Sequence, residues 1–277
     1  MRLACVSYLN AKPLLAGLED GGEASLWLGP PFALRPKLES GQTDAALLPV
    51  FDAIDAGGEL TVVPAGGIGC DGPTLTVRLF SRVPLARVRR VALDTDSRTS
   101  VNLLRVLLAW RGIEAAYEPW TARSRPTRDD PDADAVLLIG DKVVTARPDA
   151  AVWPVELDLG EAWRDVTGLP FVFAAWTVRR GTPTGHLDRL LRQARHRGER
   201  EVGAIAQLHA EAHGWPLDLA RRYLGRVLRY RIGPRQVEAM RRYGRVCAEL
   251  GLTTASGSIS LARPADPDEG QGDEPTA

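Results

Sequence analysis

Short apolar runs alternate with amphipathic stretches along most of this chain, and that alternation restricts the fold more than any single motif. Leu3–Ser7 reads as a buried strand, Pro13–Leu18 as a helix start and Ala24–Leu28 as a strand. Phe32–Ser40 reads as a helix stopped by Gly41, and Ala45–Pro49 as another strand. Units of this βαβ kind build a mainly parallel sheet. Thr74–Phe80 is a further strand, broken by Ser81-Arg82-Val83-Pro84. Arg90–Leu93 opens a second series, with the loop Asp94–Ser100, an apolar helix through Val101–Trp110, and strands near Ala115–Pro119 and at Ala135–Ile139. Thr121–Asp134 carries Pro126 and Pro131 among alternating Arg and Asp, so it reads as an exposed loop. After Trp153–Leu157 and the breaker Gly168-Leu169-Pro170, an apolar strand follows at Phe171–Val178.

From His186 onward the apolar spacing is helical, over His186–Arg197, Glu201–His213, Asp218–Arg226 and Pro234–Leu250. The order describes an α/β protein of two lobes. Residues 1–81 and 173–254 form a discontinuous first lobe, 82–172 an inserted second lobe, and 255–277 a flexible tail rich in Ser, Gly, Pro, Asp and Glu. Crossings near Ser81–Pro84 and Leu169–Val178 would form a hinge beside an interlobe cleft, a common enclosure for a small ligand.

Composition removes several function classes. Lys plus Arg equals Asp plus Glu at 35 each, so no global field favours nucleic acid or an anionic membrane. The seven Trp residues are scattered without basic neighbours and read as packing residues. Cys5, Cys70 and Cys247 are far apart and form no CxxC pair, which suggests reduced thiols and neither a disulfide framework nor a zinc site. The N-terminal apolar run is shorter than a signal h-region of roughly 7–15 residues. No segment reaches the roughly 18 apolar residues of a membrane span, so a cytoplasmic location is expected.

Open α/β sheets hold ligands where strands give way to helices. Ser7-Tyr8-Leu9-Asn10 lies at such a junction, and so does Asp96-Ser97-Arg98-Thr99-Ser100. Hydroxyls and free N–H groups at the second junction suit a carboxylate or phosphate, although helix capping accounts for the same residues. Cys70-Asp71-Gly72-Pro73 is turn chemistry preceding a strand that carries Thr76. Gly140-Asp141 follows a strand end, where a backbone can approach a ligand. GxGxxG and GxxxxGK[ST] are both absent, which disfavours a nicotinamide oxidoreductase. His186, His196, His209 and His213 fall in the helical C-terminal part and read as surface groups. No Ser-His-Asp arrangement is recognisable.

Several runs together resemble the chorismate dehydratase family of the futalosine route to menaquinone. They are Val6–Asn10 with Pro13, Cys70–Pro73, Leu79–Pro84, Ser97–Val101, Val136–Asp141, Asp158–Gly160 with Trp163, and Thr167–Ala174, in family order across roughly residues 2–252. The resemblance implies a type II periplasmic-binding-protein-like fold used as a cytoplasmic lyase that takes chorismate and needs no cofactor or metal. It implies that Asn10 and Thr76 are catalytic. It also implies that Ser97, Arg98, Thr99 and Ser100 hold a substrate carboxylate, while Ser7, Tyr8, Gly140 and Asp141 are expected to bind substrate from their places at strand ends. Thr76 stands where relatives often carry Ser. The enolpyruvyl carboxylate of the substrate is considered as base in this family, which suits a cleft without histidine. Two alternatives are the related naphthoate-forming enzyme of the same pathway and a non-catalytic receptor for a small carboxylate.

Overall fold

Two mixed sheets, joined by two crossings, carry every strand of the computed structural model, which describes residues 1–18, 22–120, 126 and 132–263. The chain begins with β1 (Arg2–Val6), a 3-10 segment at Leu9–Leu15, β2 (Ser25–Gly29), α1 (Pro31–Glu39), β3 (Ala45–Pro49), α2 (Val50–Asp55) and β4 (Leu60–Cys70). It continues through β5 (Val77–Ser81), β6 (Arg90–Asp94), α3 (Arg98–Ala109), β7 (Ala116–Trp120), β8 (Ala135–Ile139), α4 (Lys142–Thr145), β9 (Val155–Asp158) and α5 (Leu159–Thr167). The return strand β10 (Phe171–Arg179) leads to α6 (Gly185–Arg200), α7 (Val202–His209), α8 (Leu217–Arg222) and a π turn at Tyr223–Val227. The described chain closes with β11 (Leu228–Arg229), α9 (Pro234–Glu249) and β12 (Ser260–Leu261).

The first sheet has the order β11-β4-β10-β3-β1-β2 with β12 beside β4, and the second has the order β7-β6-β8-β5-β9. The sheets are mixed, where the sequence pattern predicts a mainly parallel arrangement. β1 runs parallel to β2 and β3, but β10 is antiparallel to both β3 and β4. The reason is the direction of return: β1 and β3 end at the cleft, whereas β10 starts there, so it runs opposite to them.

Two boundaries differ from the sequence expectation. Val77–Ser81, grouped above with the first lobe, pairs with β8 and β9 in the second sheet, so the outward crossing lies at 71–76. Part of the expected tail is a strand: Ser260 and Leu261 pair with Thr61 and Val62, because the edge of β4 offers free main-chain groups there. The expected loop at 121–134 falls largely outside the described residues, as does 264–277.

The main core cluster belongs to both sheets. It takes Val62 and Phe171 from the first, Val77, Val91 and Leu137 from the second, and Leu103, Leu104 and Leu107 from α3 between them. Trp163 stacks on Trp110 at 5.6 Å and meets Phe171 edge-on at 5.2 Å, which welds α5 and β10 to the far end of α3.

Candidate active site

The ends of β1, β3 and β4 and the start of β10 face β5, β8 and the β6–α3 loop across a cleft. Its apolar walls include Val6, Leu47, Ile68, Val77, Ile139 and Phe173, and a limited set of polar groups converges on it. That combination is typical of a small-molecule site.

Of the sequence-predicted residues, Tyr8, Asn10, Thr76, Ser97, Ser100 and Gly140 all line this cleft. Asn10 sits in the 3-10 segment that follows β1, and its Oδ1 is buried without a hydrogen-bond partner. Tyr8 donates from its hydroxyl to Asp96 Oδ2 at 2.9 Å, bridging the lobes. Burial, reinforced by Asp96, pushes the Tyr8 phenol well above its ordinary pKa, so it stays a protonated donor. Ser97 caps α3, its Oγ accepting from the Ser100 N–H at 3.2 Å and from the Ser100 hydroxyl at 3.1 Å. The N-terminus of α3 therefore faces the cleft with one hydroxyl committed to the cap and partial positive charge behind it.

The other predicted residues have different surroundings. Ser7 is exposed and off the cleft wall. Arg98 points out of the cleft to α2, donating to Asp52 Oδ1 at 2.6 Å and Asp55 Oδ2 at 2.8 Å, and so ties the lobes together. Thr99 is fully buried behind the cap. Its Oγ1 accepts from the Phe51 N–H at 3.0 Å, and its carbonyl accepts from Tyr243. Asp141 accepts from the Trp215 indole N–H and meets His213 Nδ1, both at 2.9 Å. His213 is thus half-buried at a lobe contact, where the sequence expectation had it on the surface.

Five groups at or beside the cleft were given no site role from the sequence. Asp96 lines the site, and Lys142 Nζ lies 2.6 Å from both Asp96 Oδ2 and Asp94 Oδ2. Tyr223, Thr74 and Phe173 also line it. The Tyr223 hydroxyl lies 2.7 Å from Thr76 Oγ1. Burial drives the Tyr223 pKa far up, against the opposing hydrogen bonds of Thr76 and Asn10.

The backbone around Thr76 is fixed from both sides. Gly140, at φ +70°, donates its N–H to the Thr76 carbonyl at 2.8 Å. On the other side Asp158 accepts from the N–H groups of Thr74 and Leu75, at 2.9 and 2.8 Å, while capping α5 through Gly160 and Glu161.

Among the described residues no histidine lines the cleft, no group of three or more His, Cys, Asp and Glu is placed to hold a metal ion, and no helix is long and apolar enough to cross a membrane. The three cysteines are free and buried, and burial pushes the Cys5 and Cys247 thiols to about 12, too high for a thiolate nucleophile.

A family model described as menaquinone biosynthesis matches residues 1–249. The chain belongs to the menaquinone-biosynthesis family. Within it, this member is 32% identical over 232 residues to the chorismate dehydratase of Thermus thermophilus, an alignment covering 78% of this chain and 84% of that one. In fold, this family member is similar to a protein of Archaeoglobus fulgidus, with a TM-score of 0.71 at 16% identity over 91% of this chain and 97% of that one. It is also similar to the periplasmic aliphatic sulphonate binding protein of Escherichia coli, with a TM-score of 0.64 at 16% identity, covering 100% and 96%. The fold of this menaquinone-biosynthesis protein is periplasmic-binding-protein-like.

Proposed function

We propose that the chain is a chorismate dehydratase, a lyase that removes water from chorismate to give 3-[(1-carboxyvinyl)oxy]benzoate. The observation that carries this reading is the pairing of Asn10 Oδ1, a buried and unpartnered acceptor, with the Thr76 hydroxyl in one apolar interlobe cleft. The relation to the Thermus enzyme supports it.

The reaction takes a hydroxyl from one ring carbon and a proton from its neighbour, and aromatisation drives it forward. It needs orientation and stabilisation of shifting charge more than a strong acid. Ser97, whose own hydroxyl proton is not used by the cap, and the N-terminus of α3 hold one carboxylate in this reading, and Asn10 and Thr76 hold the departing hydroxyl. Asp96 is already engaged by Tyr8 and Lys142, so the enolpyruvyl carboxylate of the substrate takes the ring proton and passes it to the departing hydroxide, which leaves as water. The elimination is redox-neutral and the proposal includes no cofactor. We place the protein in the cytoplasm, where free buried thiols remain reduced.

Purified protein mixed with chorismate should abolish the cyclohexadiene absorbance and yield the enolpyruvyl benzoate by mass spectrometry. Chorismate bound but recovered unchanged would instead favour a receptor and overturn this reading.

A further inference from the structure

Tyr223 stands at the start of a π turn, an irregularity that often marks functional sites. It is 1% exposed, so its hydroxyl proton needs an acceptor inside the protein. Among the described residues, the acceptor within reach is Thr76 Oγ1, at 2.7 Å. Two hydroxyls at that distance share one proton between them. If Tyr223 donates, Thr76 must turn its own proton elsewhere, and the space beside it is the cleft. Asn10 lines the same wall, and its Oδ1 is buried without a partner. The cleft wall then presents one donor, Thr76 O–H, next to one acceptor, Asn10 Oδ1. A hydroxyl group both donates and accepts, and this pair matches it.

We infer that Tyr223 is a positioning residue that orients the Thr76 proton toward the departing ring hydroxyl of the substrate. The inference rests on the dehydratase reading of the site. Hydrogen bonds in series polarise one another, so donation from Tyr223 also strengthens Thr76 as a donor to oxygen that is gaining negative charge. The ring of Tyr223 is held in place by Trp215, stacked on it at 4.8 Å and 22°. Trp215 is in turn anchored to the other lobe by its N–H to Asp141 Oδ1. Asp141 thus supports the site from behind Tyr223.

The test is a double-mutant cycle of Tyr223→Phe with Thr76→Val, read in chorismate kcat and KM beside thermal melting. Tyr223→Phe keeps the stacked ring and removes one oxygen. It should lower kcat by about 10- to 100-fold and leave KM within about threefold, because the lost interaction matters chiefly in the transition state. In the Thr76→Val background the same change should leave kcat nearly unaltered. A Tyr223→Phe protein with wild-type kcat, or losses that multiply independently in the double variant, overturns the inference while leaving the dehydratase reading intact. A wild type that does not consume chorismate overturns both. Should Tyr223→Phe fail to fold, the cycle is run with Trp215→Phe, which retains an aromatic ring and releases Asp141; independence from Thr76→Val there also overturns the inference.

Discussion

Leu75 lies in the left-handed region at φ +68°, a non-glycine conformation that costs about 1–2 kcal/mol and persists only where its surroundings enforce it. Asp158 is the enforcing residue. One carboxylate accepts four backbone N–H groups, two in the crossing next to Thr76 and two at the start of α5. Asp158→Ala should therefore cost about 2–4 kcal/mol in chemical denaturation, a helix cap plus orphaned buried donors, and should lower kcat as Thr76 drifts. Lys142 gives a pH signature. Burial alone would depress its pKa, but Asp94 and Asp96 outweigh that and hold it above the ordinary lysine range. A raised folded-state pKa stabilises fully below the unfolded value of about 10.4 and loses that contribution as pH climbs through the folded one. Denaturation midpoints should fall in the wild type as pH climbs past about 10.4, and Lys142→Met should decline less steeply, the rest of the fall coming from the raised phenols of Tyr8 and Tyr223. Asn10 was legible in the sequence as a polar residue beside a strand end, and Thr76 as a strand residue whose role turned on whether it faced the cleft; both line it. Tyr223 was not legible, since its partners lie far away in the chain and its local pattern is that of any helix. Arg98 misled for a similar reason: a loop rich in hydroxyls suggests an anion, and only the fold places Asp52 opposite it.

β4 shows the same limit at the level of an element. Its sequence, with Pro64 and glycines at 66, 67 and 69, has poor strand propensity, so the pattern of apolar residues does not announce it. Gly67 and Gly69 are there because β10 comes too close for side chains. A Cβ on Gly67 would sit 2.5 Å from the Ala174 carbonyl oxygen, and one on Gly69 would sit 2.6 Å from that of Phe171. The β10 partner also shifts register twice along this pairing. Gly67→Ala should thus destabilise by about 1–3 kcal/mol, measured by urea denaturation, although alanine is the better strand former in isolation. Where periodicity was clear, as in β3, β8 and α9, the expected and observed spans nearly coincide. The regular helical signal after 185 likewise gave α6 to α9, but it hid the π turn that carries Tyr223.

At the scale of the whole molecule, the polar contacts that join the lobes among the described residues include Tyr8 to Asp96, Arg98 to Asp52 and Asp55, and Asp141 to His213 and Trp215. Arg98 is half-exposed but Asp52 is buried, so Arg98→Ala leaves that carboxylate with only the longer contact to Arg35, at 3.9 Å. The expected loss is about 1–3 kcal/mol in denaturation, with KM for chorismate rising less than about tenfold because Arg98 is outside the cleft. A loss of several hundredfold in KM would show instead that Arg98 grips the substrate. The shared core beneath these bridges means the lobes are one hydrophobic unit on that side. The placement of β10 between β3 and β4 also sets an order of assembly. Cys70 pairs with Phe171, so β3 and β4 leave the ribosome long before the strand that joins them. At roughly 5–20 residues per second that interval is on the order of ten seconds. The second sheet is built from uninterrupted chain, 77–158, and is the first able to close during synthesis. The inserted half of the protein is thus complete while the half that begins the chain still waits for its central strand.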